Sequence, residues 1–203
     1  MTYWGAAKMK ILVVGAGGIG SWLIPRLARL DQYRQLGDCS LVVADYDEVE
    51  TKNLPYQNFE LDEILDSKAM CLDARYDVIG QHEKIETHDQ LRPFDIIMCA
   101  VDNPKLRRLV YEHCDGDEGK YFIDLRSEGT AVWGITSDAG WTLDQLNATL
   151  GSDDEEDRSC QLKYQLDAGI IELGNPIIAE IGAQWLLNRL RNKANSQVYS
   201  QRF

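Results

Sequence analysis

Basic residues are scarce in this chain: 21 Lys and Arg stand against 33 Asp and Glu over 203 residues, a formal charge of -12. A phosphate backbone is held by stripes of Lys and Arg that are missing here, which argues against a nucleic-acid partner. Histidine is rarer still. His82, His88 and His113 share no ligand spacing with one another or with a cysteine, and Cys39, Cys71, Cys99, Cys114 and Cys160 contain no C-x-x-C pair. No zinc site is expected. The scattered cysteines, and residues 1–10 without a signal-peptide pattern, lead us to expect free thiols in the cytoplasm. The longest apolar run, residues 11–24, is broken by four glycines and is too short to cross a bilayer, so no membrane partner is expected. G-x-x-x-x-G-K-[ST] is also absent, which argues against a P-loop enzyme that cleaves a γ-phosphate.

What is present starts at residues 11–20, Ile-Leu-Val-Val-Gly-Ala-Gly-Gly-Ile-Gly. A buried-type strand runs into a turn containing Gly15, Gly17, Gly18 and Gly20, and a helical pattern follows at Ser21-Trp22-Leu23. Such a turn lets backbone N–H groups approach a phosphate at a helix start whose dipole favours negative charge. Strand, turn and helix in that order point to a nucleotide-binding site rather than a packing turn.

Hydrophobic periodicity predicts strands at 10–15, 40–45, 84–87, 94–101, 121–125 and 130–136. Helices are predicted at 19–30, at 67–79 with Ser67 as cap, and from Pro104 onward. Residues 151–157 form an acidic run that reads as a solvated loop. Asn175-Pro176 is expected to cap a last helix reaching about residue 192, and residues 193–203 read as a frayed tail. Alternating strands and helices imply an α/β fold of Rossmann-like type, a mainly parallel sheet with helices on both faces. The chain length suits a single domain, 1–203. Ligands in such sheets bind beyond the carboxyl ends of the strands, where Gly15, Asp45 and Asp102 all fall.

Behind the glycine turn come Asp45-x-Asp47-x-Val49-Glu50-x-x-Asn53-Leu54, then Gln57, Lys68-Ala69 and Val101-Asp102-Asn103. In that order they resemble the superfamily of ThiF, MoeB and the ubiquitin-activating enzymes, over residues 10–191. The resemblance implies a domain that binds ATP and Mg²⁺ and adenylates the C-terminal carboxylate of a small ubiquitin-like or sulfur-carrier protein, releasing pyrophosphate. Carried over by position, Gly15, Gly17, Gly18 and Gly20 would cradle the nucleotide, and Asp45 and Asp47 would lie at its ribose end. Asn53, Gln57 and Lys68 would line the phosphates, and Asp102 would hold Mg²⁺. The competing assignments are a solvated helix lysine for Lys68 and a helix cap before Pro104 for Asp102.

The chain departs from the family pattern at Tyr56, where an arginine usually stands, and residues 1–10 contain no arginine to offer a partner subunit. Arg26, Arg75 and Arg126 are the candidates to replace those cations. The resemblance also implies a homodimer, with Ile178, Ile181, Trp185 and Leu186 as its apolar surface. Cys160, just past the acidic run, lies where many relatives place a thioester- or persulfide-forming cysteine, and Arg158 or Lys163 could lower its pKa. A non-catalytic scaffold subunit is the alternative favoured by the missing arginines. An NAD-dependent oxidoreductase rests on the glycine turn and Asp45 alone.

Overall fold

The computed structural model describes residues 8–150, 168–195 and 198–203. Its first strand, β1 (Met9–Val14), is apolar on both faces because both faces are covered. Ile11 and Val13 point into one core with α1 (Gly20–Gln32), α2 (Lys68–Tyr76) and α6 (Gly174–Leu190). Leu12 and Val14 point into the other, with α3 (His88–Leu91), α4 (Pro104–Cys114) and α5 (Leu143–Asn147). The remaining strands are β2 (Cys39–Ala44), β3 (Ile79–Gln81), β4 (Ile96–Cys99), β5 (Tyr121–Ser127), β6 (Ala131–Thr136) and β7 (Val198–Arg202). They join β1 in one sheet of order β3-β2-β1-β4-β5-β6-β7. From β3 to β5 the pairing is parallel, and β6 and β7 add antiparallel strands at one edge. The expected α/β architecture is present, as a mixed sheet.

Three local expectations are corrected. The short strand lies at Ile79–Gln81, not at 84–87. Asp77, in the left-handed region with φ 52°, ends α2 and turns the chain straight back. Gly80 then passes so close to α2 that a Cβ there would sit 2.5 Å from the Ala69 carbonyl oxygen. Ile85 is buried in the second core from a segment without strand pairing, which explains the misleading apolar signal.

The last helix starts at Gly174 with Leu173 in the capping position and no side-chain cap, so Asn175 lies inside the first turn instead of capping it. Residues 193–203 are not a frayed tail throughout. Asn195 is buried, its Nδ2 donating to the Tyr121 hydroxyl at 3.0 Å and the Trp185 carbonyl at 3.1 Å. Beyond it β7 covers the free edge of β6, removing a row of unpaired backbone groups.

Ile178, Trp185 and Leu186 are buried in the first core and offer no surface to a second copy, whereas Ile181 is only partly buried against it. No helix among the described residues is long and apolar enough to cross a membrane.

Candidate functional site

β1, β2 and β4 are adjacent and parallel, so their carboxyl ends bring Gly15, Asp45 and Asp102 to one edge. Gly15 has φ +96°, and a Cβ there would lie 2.7 Å from the Ala100 carbonyl oxygen and 2.8 Å from Val101 Cγ1. Only glycine fits that crossing. At Gly20 a Cβ would overlap the Gly15 carbonyl oxygen at 1.9 Å, so this position lets α1 pack onto the turn. Gly17 differs: a Cβ would meet nothing closer than Gln57 Nε2 at 3.9 Å. The space over Gly17 is open on the side where a phosphate would approach.

The Asp45 carboxylate fastens this turn to β2. Its Oδ2 accepts from Ala16 N at 2.6 Å and its Oδ1 from Asp47 N at 2.8 Å. Desolvation raises the Asp45 pKa, and those two N–H groups and Lys68 oppose the rise. Lys68 is the second residue tied to this strand end. Its N–H donates to the Asp47 carbonyl at 3.0 Å and its ammonium lies 3.3 Å from Asp47 Oδ2. Its side chain is only 6% exposed, which rules out a solvated helix lysine. Asp47 thus stands beside the cation, holding it from both backbone and side chain.

The segment 53–58 lies against the glycine turn and α1. Asn53 is buried, accepting from Glu50 N at 3.0 Å and donating to the Tyr56 hydroxyl at 3.2 Å. Gln57 is buried too, and its Oε1 has no hydrogen-bond partner. Two residues outside the sequence expectation fix this segment. Pro25 inside α1 has no N–H for the Ser21 carbonyl, four residues back, and Asn58 Nδ2 takes that carbonyl at 3.2 Å. The fully buried Ser21 hydroxyl accepts from Asn58 N at 3.0 Å. A proline four residues after a serine, inside a helical pattern, is the sequence signal that could have exposed the unclaimed carbonyl.

Asp102 follows β4. Helix capping does not occupy it, since Asn103 Oδ1 accepts from Lys105 N at 2.9 Å and Leu106 N at 3.2 Å. Asp102 is exposed as a residue, yet desolvation of its carboxyl raises the pKa above its ordinary 3.8, and Asp47 adds to the rise.

Farther along the same edge is a closed ionic cluster. Asp124 is completely buried on β5 and pairs with Arg107 and, at 2.8 Å, with Arg126. It also accepts from the Tyr111 hydroxyl. Arg107 donates to the Val101 carbonyl, the peptide unit that leads into Asp102. Arg126 continues to the Thr149 carbonyl at 2.8 Å and lies 4.2 Å above the Trp133 ring.

The arginines considered as replacement cations are therefore engaged elsewhere. Arg26 pairs with Glu180 at 2.7 Å, Arg75 with Glu63 at 3.2 Å, and Arg126 with Asp124. A recess of about 370 Å³ opens at the β3 edge between Lys10, Val42, Gln81 and Phe94, and no predicted site residue lines it. Cys160, Arg158, Lys163 and the acidic run lie outside the described residues. Cys39, Cys71, Cys99 and Cys114 are free and buried, and burial pushes the Cys114 thiol up to about 12. Such thiols are poor nucleophiles. Among the described residues no group of three or more His, Cys, Asp or Glu could hold a metal ion.

The family model described as "ThiF family" matches residues 5–203. Among solved structures, E. coli MccB with ATP is similar to this chain at a TM-score of 0.65 and 16% identity, covering 96% of this chain and 63% of that one. E. coli MccB with selenomethionyl MccA gives 0.66 and 16%, with the same coverage. PaaA gives 0.62 and 15%, covering 97% of this chain and 61% of that one. The chain thus spans under two thirds of these proteins, and at such identity the likeness is one of fold. No curated protein sequence matches it.

Proposed function

The chain belongs to the ThiF family, and from that membership and the strand-end site we propose that it binds ATP with magnesium and adenylates a C-terminal carboxylate. The acceptor in this reading is a small ubiquitin-like or sulfur-carrier protein, or a peptide. The observation that carries it is the convergence of an open glycine turn, Asp45, the buried Lys68 and an uncapped Asp102 on one edge. E. coli MccB, a protein of similar fold, has been crystallised with ATP and with MccA.

The residues present suit the ligand. In this reading backbone N–H groups of the turn beyond Ala16 would donate to phosphate oxygens approaching over Gly17, where a Cβ would meet nothing nearer than 3.9 Å. Asp45 retains lone pairs beyond its two N–H donors and can accept from ribose hydroxyls. Lys68, desolvated and held by Asp47, is a fixed positive charge for the phosphate chain. Gln57 and Asn53 line the same path, and Asp102 would ligate the metal, whose other ligands would be phosphate oxygens and water. Bound magnesium would supply positive charge against the phosphates, which Lys68 alone cannot balance beside Asp45, Asp47 and Asp102. In adenylation the acceptor carboxylate oxygen bonds to the α-phosphorus as the bond to the bridging oxygen breaks and pyrophosphate leaves. This demands alignment and charge neutralisation, not an enzyme nucleophile.

The pairing of Arg26, Arg75 and Arg126 elsewhere favours a second reading, a scaffold subunit that binds nucleotide without turnover. Thermal denaturation with ATP–Mg²⁺ or NAD, followed by ATP–pyrophosphate exchange with a Gly-Gly-terminated acceptor, separates the readings. Stabilisation by ATP–Mg²⁺ with exchange supports adenylation. Stabilisation without exchange supports the scaffold, and stabilisation by NAD alone overturns both.

A further inference from the structure

One face of the sheet is thinly covered beside β2 and β3. The connection from β3 to β4 contributes only the four-residue α3 to that face, whereas α1 and α2 cover the opposite one. The recess of about 370 Å³ at the β3 edge lies in this gap. Strand register sets out its floor. Lys10 is paired with Ser40, Val42 with Ile79, and Ala44 with Gln81, on successive rows of one face. An ammonium and a hydroxyl therefore stand at the strand starts, with the apolar Val42 and Ile79 beyond them, flanked by Ile85 and Phe94. Ile79 is 49% exposed although it belongs to a strand, so the floor is open to solvent there.

Two charged side chains line the recess, and they differ in what they already bind. Glu83 Oε1 accepts from Gln90 Nε2 at 2.6 Å, and Gln90 Oε1 is in turn taken by Glu86 N and Thr87 N, each at 2.9 Å. Lys10 donates its backbone N–H to Asp95, but its ammonium has neither a hydrogen bond nor an ion pair among the described residues. An unpaired cation at the end of an apolar trough is complemented by a ligand with one negative head and an apolar tail. We propose that the recess binds a soluble medium-chain aliphatic carboxylate, its head on Lys10 and Ser40 and its tail along Val42 and Ile79. A polyanion is disfavoured, because it would meet Glu83 and a chain charge of -12. From the Ser40 row to the Ala44 row the floor runs roughly 13 Å, at about 3.3 Å per residue, which is room for one extended chain. None of Gly15, Asp45, Lys68 and Asp102 lines the recess, so the site stands apart from the proposed adenylation.

The test is calorimetric titration of the full chain, without nucleotide, with octanoate, butanoate, octan-1-ol and octylammonium. Octanoate is expected to bind saturably and more tightly than butanoate, since each further buried methylene contributes about a three- to four-fold gain. It should also exceed octan-1-ol and octylammonium, although the net charge of the chain by itself would favour the ammonium. Lys10→Met, at an exposed position, keeps the stem and the backbone N–H. It is expected to weaken octanoate about ten-fold or more while leaving octan-1-ol unchanged. Ile79→Asp, at a half-exposed position, should weaken both. No saturable octanoate binding, a preference for octylammonium, or an octanoate affinity untouched by Lys10→Met would each overturn the site. If a variant does not fold, the order of the ligands on the wild-type chain decides the matter.

Discussion

Two ionic groups lie along the carboxyl edge of the sheet, and they are built in opposite ways. Around Asp124 one carboxylate is matched by two guanidinium groups and a phenol, all of them buried or nearly so. Around Lys68 one ammonium faces Asp47, half exposed, with Asp45 and Asp102 close enough to perturb or be perturbed by the same charges. The first group is complete within the chain and ties β4, α4 and β5 together. The second has more carboxylates than cations and is open to solvent, the arrangement the proposed metal and nucleotide would complete. That contrast distinguishes a structural ion cluster from the proposed ligand site more clearly than burial alone, because Lys68 and Arg107 are equally hidden.

The contrast is broken most forcefully by Asp124→Ala. It would take the carboxylate from the buried Arg107 and the partly buried Arg126, and we expect a loss of about 3–5 kcal/mol of folding stability in chemical denaturation. A loss below about 1 kcal/mol would mean the cluster is not the staple described here. Next comes Lys68→Met, which keeps the stem that fills the space behind Asp47. ATP–Mg²⁺ affinity should fall by about 1.5–3 kcal/mol, the worth of a hydrogen bond to a charged group, with the fold retained. Unchanged affinity would assign Lys68 to structure alone.

The smallest effect is one of pH. The folded pKa of Asp102 is raised above its ordinary value. The folded state therefore binds that proton more tightly than the unfolded state does. Its contribution to stability is favourable at low pH and is lost as pH rises through the folded pKa. In the proposed site magnesium would compete with the same proton. The Mg²⁺-dependent part of ATP binding should thus fade on acidification at a pH above that of an unperturbed aspartate. Asp102→Asn should remove that dependence while slightly stabilising the free protein near neutrality. A metal requirement that survives in Asp102→Asn would place the ion elsewhere.

Much of this edge was readable from local signals. Residues 11–20 announce strand, turn and helix because glycine crossings and apolar runs are properties of short stretches. Pro104 and the apolar face of Leu106, Leu109 and Val110 likewise announce α4. What escaped depends on partners distant in sequence. β7 exists because β6 needs an edge partner, and nothing in residues 198–202 alone says so. Ile85 is buried as a strand residue would be, but it fills the second core from an irregular segment. The Lys68–Asp47 pair spans 21 residues, and the Asn58–Ser21 pair spans 37. Such pairings follow from tertiary packing, which overrides local propensity. Of the α6 residues that suggested an interface, Ile178, Trp185 and Leu186 line the first core and Ile181 packs against it partly buried.

The proline within α1 has a consequence for how the molecule breathes. Since Pro25 cannot claim the Ser21 carbonyl, Asn58 supplies the donor that the helix lacks there, and Asn58 in turn is held by α1, Tyr76 and Arg75. Residues 53–58 and the opening turns of α1 are therefore expected to open and close as one cooperative unit, with matching hydrogen-exchange protection. A ligand that bridges the glycine turn and Gln57 would slow exchange at both together, so under the proposed function the two segments would respond to nucleotide as a single body.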